Sequence, residues 1–214
     1  MLLYFNLVGP DGSGKDTLIN HLQTFLCKNR VLTFREPGGI PTAELIRDII
    51  LESNIELLKE KFELILKNKE LNDYSVSLLK EAYKSYQNGR IDWMEVYLFS
   101  ASRNETNLRI VNPSVEEGRD ILGARSISCS AAYQGKARGI GIKRVIEINR
   151  PIMKYWPSFE IFLDVPVEVT LERINNRVEK KDRLDLESKK FHELTIEGYK
   201  EFHSMNYFPV YYLS

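Results

Sequence analysis

The residues best suited to carry out chemistry form a glycine-rich stretch near the beginning of the chain. Its glycines and lysine have the spacing GxxxxGK, and it lies between an apolar run and a helical pattern. In that setting the loop's backbone N–H groups point at phosphate oxygens, the lysine reaches the terminal phosphates, and the helix N-terminus adds partial positive charge. The stretch predicts a nucleoside triphosphate site formed by Gly9, Pro10, Asp11, Gly12, Ser13, Gly14, Lys15, Asp16 and Thr17.

The residue after Lys15 departs from the usual phosphate-binding loop, in which this position offers Mg²⁺ a hydroxyl. Here it is Asp16, and Thr17 follows it. A carboxylate beside a triphosphate is tolerable when Mg²⁺ lies between the two anions. Two interpretations stay open: Asp16 and Thr17 hold Mg²⁺, or Asp16 turns to solvent as an ordinary residue of the helix N-terminus.

A second block follows the next apolar run and narrows the class of protein. It reads FREPGG at residues 34–39 and AELIR at residues 43–47. Later blocks are LFSASR at residues 98–103, AYQG at residues 132–135, and a charged stretch that begins with RINNR at residues 173–177. Together with the phosphate-binding loop, these blocks resemble the thymidylate kinase family over nearly the whole chain outside residues 52–92.

The resemblance implies an acceptor site for dTMP. It implies that Phe99 stacks on thymine and that Arg103 hydrogen-bonds the carbonyl edge of the base, and their i, i+4 spacing places both on one helix face. It also implies that Arg125 contacts the acceptor phosphate, that Tyr133 packs against the deoxyribose, and that the peptide bond before Pro37 is cis. The predicted acceptor-binding residues are Asp11, Glu36, Pro37, Phe99, Arg103, Arg125, Cys129, Ser130, Tyr133 and Gln134.

The same resemblance assigns catalysis to cations rather than to a nucleophile. Phosphoryl transfer depends on positioning and on positive charge at the transferring oxygens. Because Gly12 leaves the loop without an arginine, a lid over about residues 173–185 would bring cations on closing and exclude water. The predicted catalytic residues are Lys15, Arg125, Arg177, Lys181 and Arg183.

Two departures from the family bear on this chemistry. Ala124 stands where the family has an aspartate beside the Mg²⁺ water shell, and Cys129 replaces a serine near the base. We hypothesise that Asp16 supplies the missing carboxylate from the loop side. The leading interpretation is an enzyme that phosphorylates dTMP with ATP and Mg²⁺. The alternatives are a kinase for another (deoxy)nucleotide or a nucleoside, and a catalytically impaired nucleotide-binding homologue.

Short apolar runs alternate with longer helical patterns along the chain. The runs predict strands over residues 2–8, 31–34, 120–124, 160–165 and 210–213, and the patterns predict helices over 17–29, 42–51, 97–112, 142–149, 167–178 and 188–205. This alternation predicts an α/β fold of the P-loop kinase type, with a five-stranded parallel sheet flanked by helices in three layers. Two further helical patterns over residues 52–92 predict an inserted helical hairpin, with Asn72 at the turn between them.

The composition sets the remaining limits. The 214 residues suit a single domain, 1–214, and 43% hydrophobic residues can build its core. Thirty basic residues balance thirty acidic ones, which argues against a nucleic-acid partner. Two cysteines fit a reducing compartment, and no apolar run approaches the ~20 residues of a membrane helix. We expect a cytoplasmic protein that binds small nucleotides, contacts no membrane and forms a homodimer, as the resemblance implies.

Overall fold

The computed structural model describes residues 3–28, 30–52, 54–177 and 183–214. In these ranges five strands form one parallel sheet in the order β2-β3-β1-β4-β5. They are β1 (Tyr4–Val8), β2 (Leu32–Arg35), β3 (Ile121–Ala124), β4 (Phe159–Leu163) and β5 (Val210–Leu213). Each strand overlaps the apolar run that predicts it, so the predicted parallel sheet is confirmed.

The described ranges also hold ten α-helices and two short π-helical turns. The α-helices are α1 (Lys15–Lys28), α2 (Pro41–Ile50), α3 (Ile55–Ile65), α4 (Asp73–Gln87), α5 (Ile91–Thr106), α6 (Asn112–Glu116), α7 (Ile127–Ser130), α8 (Ile142–Asn149), α9 (Val167–Asn175) and α10 (Lys189–Ser204). The π-helical turns cover Asn107–Val111 and Ala131–Ala137. Helix α5 begins at Ile91 rather than at the predicted Tyr97, because Gly89 (φ 69°) turns the chain directly after α4.

Helices cover both faces of the sheet, and this explains the continuous apolar strands. On one face Leu26 of α1 packs with Leu7 of β1 in a buried cluster. On the other face Tyr199 of α10 packs with Val8 of β1 and Phe162 of β4. Alternate residues of β1 therefore belong to opposite cores, which gives the three predicted layers.

The carboxyl ends of β1, β2 and β3 meet at one edge of the sheet. Ala124 pairs with Leu7 of β1 on one side and with Arg35 of β2 on the other. The glycine-rich loop, the REPGG block and Arg125 each follow one of these ends. Ligands of parallel α/β sheets bind at this edge, so the fold gathers the predicted site there.

Helices α3 and α4 occupy most of residues 52–92. The Asn54 side chain caps α3 by accepting from the N–H groups of Glu56 and Leu57, and the Asn72 side chain caps α4 by accepting from Tyr74. The apolar faces of both helices share one buried cluster with α2 and α5, including Ile46, Leu58, Phe62, Leu79 and Leu98. Both predicted helical patterns therefore form helices, and these helices are part of a buried core. Their status as an insertion stays a prediction.

Within the described ranges, none of the helices combines the length and the apolar character needed to cross a membrane.

Candidate active site

The glycine-rich loop connects β1 to α1, and its lysine is turned back onto the loop. Lys15 Nζ donates to the carbonyl oxygens of Gly9 and Pro10, both at 2.8 Å, and to Ser13 Oγ at 3.4 Å. Burial and, after it, the nearby Arg125 cation lower the pKa of Lys15 to about 8. The loop therefore holds a buried cation whose hydrogen-bond partners are neutral oxygens, with the Asp11 carboxylate 4.0 Å away. An entering phosphate offers Lys15 stronger, charge-assisted bonds.

Helix α9 packs directly against the loop and excludes a side chain at Gly12. This glycine has a φ of 78°, and a Cβ there would lie 2.5 Å from the carbonyl oxygen of Thr170. Arg173, one turn further along α9, donates from Nη1 to the carbonyl oxygens of Gly12 and Ser13 at 3.2 and 3.4 Å. An arginine from α9 thus reaches the loop, while the loop itself has no room for one.

Asp11 connects the loop to the segment after β3. Its Oδ1 accepts from Arg125 Nη2 at 2.7 Å, and its Oδ2 accepts from the Tyr133 hydroxyl at 2.9 Å. Burial alone would raise the pKa of this carboxyl, but the Arg125 and Lys15 cations hold the pKa well below its usual value. Arg125 has a left-handed backbone (φ 72°), which costs a non-glycine residue about 1 kcal/mol. The anionic Asp11 therefore keeps Arg125 beside the loop.

Two adjoining cavities lie next to this pair. Both are lined by Glu36, Phe99, Arg125 and Leu184, so they form one space, called here the Phe99 cleft. The peptide bond between Glu36 and Pro37 is cis, as expected. The cleft is lined by every residue predicted to bind the acceptor, namely Asp11, Glu36, Pro37, Phe99, Arg103, Arg125, Cys129, Ser130, Tyr133 and Gln134. The structure brings these residues together, and their individual roles stay predictions.

Arg103 lies at the buried end of the cleft with 2% of its surface exposed. Its Nε donates to Glu36 Oε2 at 2.8 Å, its Nη1 to Asn149 Oδ1 at 2.6 Å, and its Nη2 to Ser130 Oγ at 3.0 Å and the Ser126 carbonyl at 3.1 Å. Burial raises the pKa of the Glu36 carboxyl, although the Arg103 cation opposes the rise. A guanidinium has five N–H donors, so these four bonds to described residues leave one N–H for a ligand.

The segment after Arg125 is helical, which the sequence analysis did not predict. Ser126 caps α7: its Oγ accepts from the Ser128 N–H at 3.1 Å, and its own N–H donates to Cys129 Sγ at 3.4 Å. The chain then continues into the π-helical turn Ala131–Ala137. Small residues give this stretch weak helical periodicity, so the serine cap was the available signal.

The predicted lid cations that the structure describes are bound to carboxylates. Arg177 Nη1 lies 3.0 Å from Asp185 Oδ2, and Arg183 Nη1 lies 2.5 Å from Glu95 Oε1. Lys181 lies outside the described residues. A catalytic role for Arg177 or Arg183 stays a prediction, and it requires the side chain to exchange its carboxylate partner for phosphate.

Asp16 faces the space that a small residue leaves at position 124. One cavity at the sheet edge is lined by both Asp16 and Ala124, and Asp16 also lines the Phe99 cleft together with Asp11. Asp16 and Thr17 are both exposed in the first turn of α1. The Asp16 carboxylate, our hypothesised replacement for the family's aspartate at position 124, therefore shares a cavity with Ala124.

Four residues that sequence reasoning did not assign to the site contribute to it. Arg173 binds the loop, Asn149 holds Arg103, and Glu95 and Arg138 form an ion pair with Arg138 Nη2 at 3.1 Å from Glu95 Oε1. Sequence signals existed for two of them: Glu95 lies four positions before Phe99 and shares its helix face, and Arg173 is the first residue of the predicted lid.

Comparisons with known proteins agree with this geometry. A sequence model of the thymidylate kinase family matches residues 7–85 and 77–210. Thymidylate kinases of Geobacillus thermodenitrificans and Staphylococcus epidermidis are each 35% identical to the chain, over 202 and 208 residues; the matches cover 92% and 96% of this chain and 76% and 86% of the relatives. The crystal structure of thymidylate kinase from Ehrlichia chaffeensis has the same fold, with a TM-score of 0.62 and 21% identity over 99% of this chain and 86% of that one. The chain belongs to the thymidylate kinase family.

Proposed function

We propose that the chain transfers the γ-phosphoryl group of ATP to the phosphate of dTMP, giving dTDP. The observation that carries this proposal is the position of Arg125. Its guanidinium lines the Phe99 cleft and also binds Asp11 of the phosphate-binding loop. A phosphate bound by Arg125 at the mouth of the cleft would lie beside the loop that holds the triphosphate, as transfer between two phosphates requires.

The cleft suits a pyrimidine deoxynucleotide as the acceptor. Phe99 provides an aromatic face for the base, and the remaining N–H of Arg103 provides a donor for a carbonyl oxygen. The Tyr133 ring closes the cleft near Asp11, where it leaves little space for a 2′-hydroxyl. Small-molecule sites are typically lined by apolar side chains with a few fixed polar groups, and the Phe99 cleft has this composition, which supports the assignment.

The donor site uses the loop and its lysine. On binding of ATP, Lys15 exchanges its bonds to the Gly9 and Pro10 carbonyls for bonds to phosphate oxygens. Lys15 and Arg125 then stabilise the charge on the equatorial oxygens of the transferring group. Arg177, Lys181 and Arg183 are the lid cations proposed to join them.

The residues present fit Mg²⁺ held mainly by the substrates. In the described ranges, no group of three or more His, Cys, Asp or Glu side chains could hold a metal on its own. Mg²⁺ bound to nucleotides typically keeps several waters and takes one or two protein carboxylates, and the exposed Asp16 lines the correct cavity, with Thr17 beside it. When bound, Mg²⁺ neutralises charge on the phosphates and orients them.

An initial-rate assay of ADP release with ATP and dTMP tests the proposed function. We expect turnover with dTMP to exceed turnover with dUMP, other deoxynucleotides and thymidine, and we expect a chelator of divalent cations to abolish it. A faster rate with another acceptor would assign the enzyme to that substrate. ATP binding without transfer to any acceptor would identify an impaired homologue.

The Asp16→Ala variant tests the proposed metal ligand. We expect Mg²⁺-dependent turnover to be lost while the affinity for dTMP, measured without ATP, is unchanged. Asp73→Ala is the matched control, because Asp73 is likewise an exposed aspartate in the first turn of a helix, α4. Wild-type turnover in Asp16→Ala would reject the metal role of this carboxylate.

We also propose a cytoplasmic homodimer that binds no nucleic acid. Cys27 and Cys129 are free thiols, which supports a reducing compartment such as the cytoplasm. The formal net charge of zero supports the absence of a nucleic-acid partner. The homodimer rests on family membership. Sedimentation of the purified protein measures the oligomeric state, and a single monomeric species would reject the proposed homodimer.

A further inference from the structure

Three residues of α5 form a stripe at i, i+4 and i+8. They are Glu95, Phe99 and Arg103, and this spacing places them on one side of the helix. Phe99 and Arg103 line the Phe99 cleft. Glu95 continues the same stripe, and none of its surface is exposed. A buried carboxylate therefore lies one turn from the residue proposed to stack on the base.

Glu95 accepts hydrogen bonds from three side chains: two, Gln134 and Arg138, lie in or directly after the π-helical turn, and the third, Arg183, lies in a later segment. Its Oε1 accepts from Arg183 Nη1 at 2.5 Å and from Arg138 Nη2 at 3.1 Å. Its Oε2 accepts from Gln134 Nε2 at 3.1 Å and from Arg138 Nε at 3.4 Å. An ionised carboxylate has about four lone-pair sites, so these four bonds satisfy it without water.

Arg138 is a fixed partner of Glu95. Its guanidinium lies 4.6 Å from the centre of the Phe191 ring and 2.6 Å from Glu187 Oε1, and it is 15% exposed. Because Arg138 directly follows the π-helical turn and contacts Phe191 of α10, it holds the Glu95 carboxylate in place. The buried Glu95 carboxylate therefore has a charged partner, Arg138, in addition to Arg183.

Arg183 is the partner that reaches Glu95 from the lid. It is 25% exposed, and it belongs to residues 183–187, called here the lid segment. Leu184, the next residue, lines the Phe99 cleft and packs against the cluster that contains Tyr133. The ion pair between Glu95 and Arg183 therefore holds the residue next to the side chain that lines the cleft. Two further ion pairs, Arg177–Asp185 and Arg138–Glu187, hold the rest of the lid segment.

We propose that Glu95 is a positioning residue for acceptor binding: before ATP binds, its ion pair with Arg183 anchors the lid segment so that Leu184 covers the nucleotide seated on Phe99. This inference rests on the proposed function, because it takes the Phe99 cleft to be the dTMP site. The acceptor, held between Phe99 and Leu184, in turn makes opening of the lid segment less favourable. Acceptor binding and lid position are then coupled through one face of α5.

The Glu95→Gln variant tests the anchor by two measurements without ATP. Hydrogen exchange of the amides in residues 183–187 is expected to become about tenfold faster, because the variant loses a charge-assisted bond. The Kd for dTMP, measured by calorimetry, is expected to rise about tenfold, which corresponds to about 1.4 kcal/mol. Glu168→Gln is the matched control: Glu168 pairs with Lys189 at 2.9 Å in an exposed ion pair near the lid segment, and we expect neither quantity to change.

The Arg183→Gln variant removes the same ion pair from the other side and leaves Arg138 and Gln134 on Glu95. It keeps the proposal testable if Glu95→Gln does not fold. Glu95→Gln is expected to raise the Kd for dTMP by a smaller factor in the Arg183→Gln background than in the wild type, because the two changes share the ion pair between these residues. Factors that multiply in the double variant, or unchanged exchange of the lid segment in both single variants, would overturn the anchor.

The two proposals fail in different ways. A wild-type protein that binds no dTMP overturns the assigned acceptor and with it the role of Glu95 in acceptor binding. In that case the exchange of residues 183–187 without ligand still shows whether Glu95 holds the lid segment. If Glu95 had a purely structural role, Glu95→Gln would speed hydrogen exchange in all helices equally. The ratio of exchange in residues 183–187 to exchange in the core would then be unchanged, and this result would contradict the proposal.

Discussion

Replacement of Phe99 by alanine separates the base platform from the scaffold. Phe99 is half-buried on α5; its ring lines the Phe99 cleft and also packs against the core shared by α2, α3, α4 and α5. The substitution removes a stacking surface and part of a core contact. It is therefore expected to affect acceptor binding and stability by different amounts.

The two magnitudes follow from the environment of the ring. Stacking of a base on an aromatic side chain contributes about 1–3 kcal/mol, so kcat/KM for dTMP is expected to fall by about 5- to 150-fold. A fully buried Phe→Ala change costs about 3–5 kcal/mol, and half-burial reduces the expected loss of unfolding free energy to about 2 kcal/mol. Because stacking contributes equally to ground state and transition state, we expect KM for dTMP to rise while kcat and KM for ATP stay unchanged.

Tyr97→Ala is the matched control for this variant. Tyr97 is also a half-buried aromatic residue of α5, and it packs against the same core. It does not belong to the residues that line the Phe99 cleft. We expect a similar loss of stability with unchanged KM for dTMP. Equal effects of Phe99→Ala and Tyr97→Ala on both quantities would refute the assignment of Phe99 as the base platform.

Three further predictions concern the phosphate-binding loop. Because the pKa of Lys15 in the free enzyme is lowered to about 8, its ammonium loses charge as the pH rises through that value, and kcat/KM for ATP is expected to decrease there in initial-rate measurements. Because the pKa of Asp11 is held below its ordinary value of 3.8, its contribution to stability is present above that pH and lost as the pH falls further, so urea unfolding of wild type and Asp11→Asn is expected to converge in acid. Gly12→Ala is expected to lose about 2 kcal/mol or more in thermal unfolding, because its Cβ would lie 2.5 Å from the Thr170 carbonyl oxygen.

Each of these predictions has its own control. A Lys15→Arg variant with residual activity is expected to lack the decrease near pH 8, so a decrease that persists would assign the titration to another group. A stability difference between wild type and Asp11→Asn that grows in acid would contradict the depressed pKa. Gly89→Ala has a similar φ of 69° and nothing within 4 Å of its Cβ, so it isolates backbone strain. Equal losses in the two glycine variants would show that the contact with α9 is unimportant.

Local patterns in the sequence were sufficient for most of the fold. Strand runs, helix patterns and the loop between β1 and α1 depend on residues within one or two turns of each other, and all five strands appear where the runs predict them. The α7 helix and the π-helical turn after it were missed, because Ser, Ala and Gly carry little periodicity. The pairing of Phe99 with Arg103 on one face was predictable for the same local reason.

The sequence by itself determined the glycine-rich loop and the order of the strands and of most helices, and it named ten of the residues that line the cleft. Only the tertiary structure decided their partners: Asp11 binds Arg125 across 114 positions of sequence, and Arg183, predicted to face phosphate, is held by Glu95 across 88. Such contacts depend on which strands become neighbours and on which helix packs beside each strand. A charged side chain carries no local signal for a partner that the chain brings to it from a distant segment, so ion pairs of this kind become visible when the sheet and its helices are assembled.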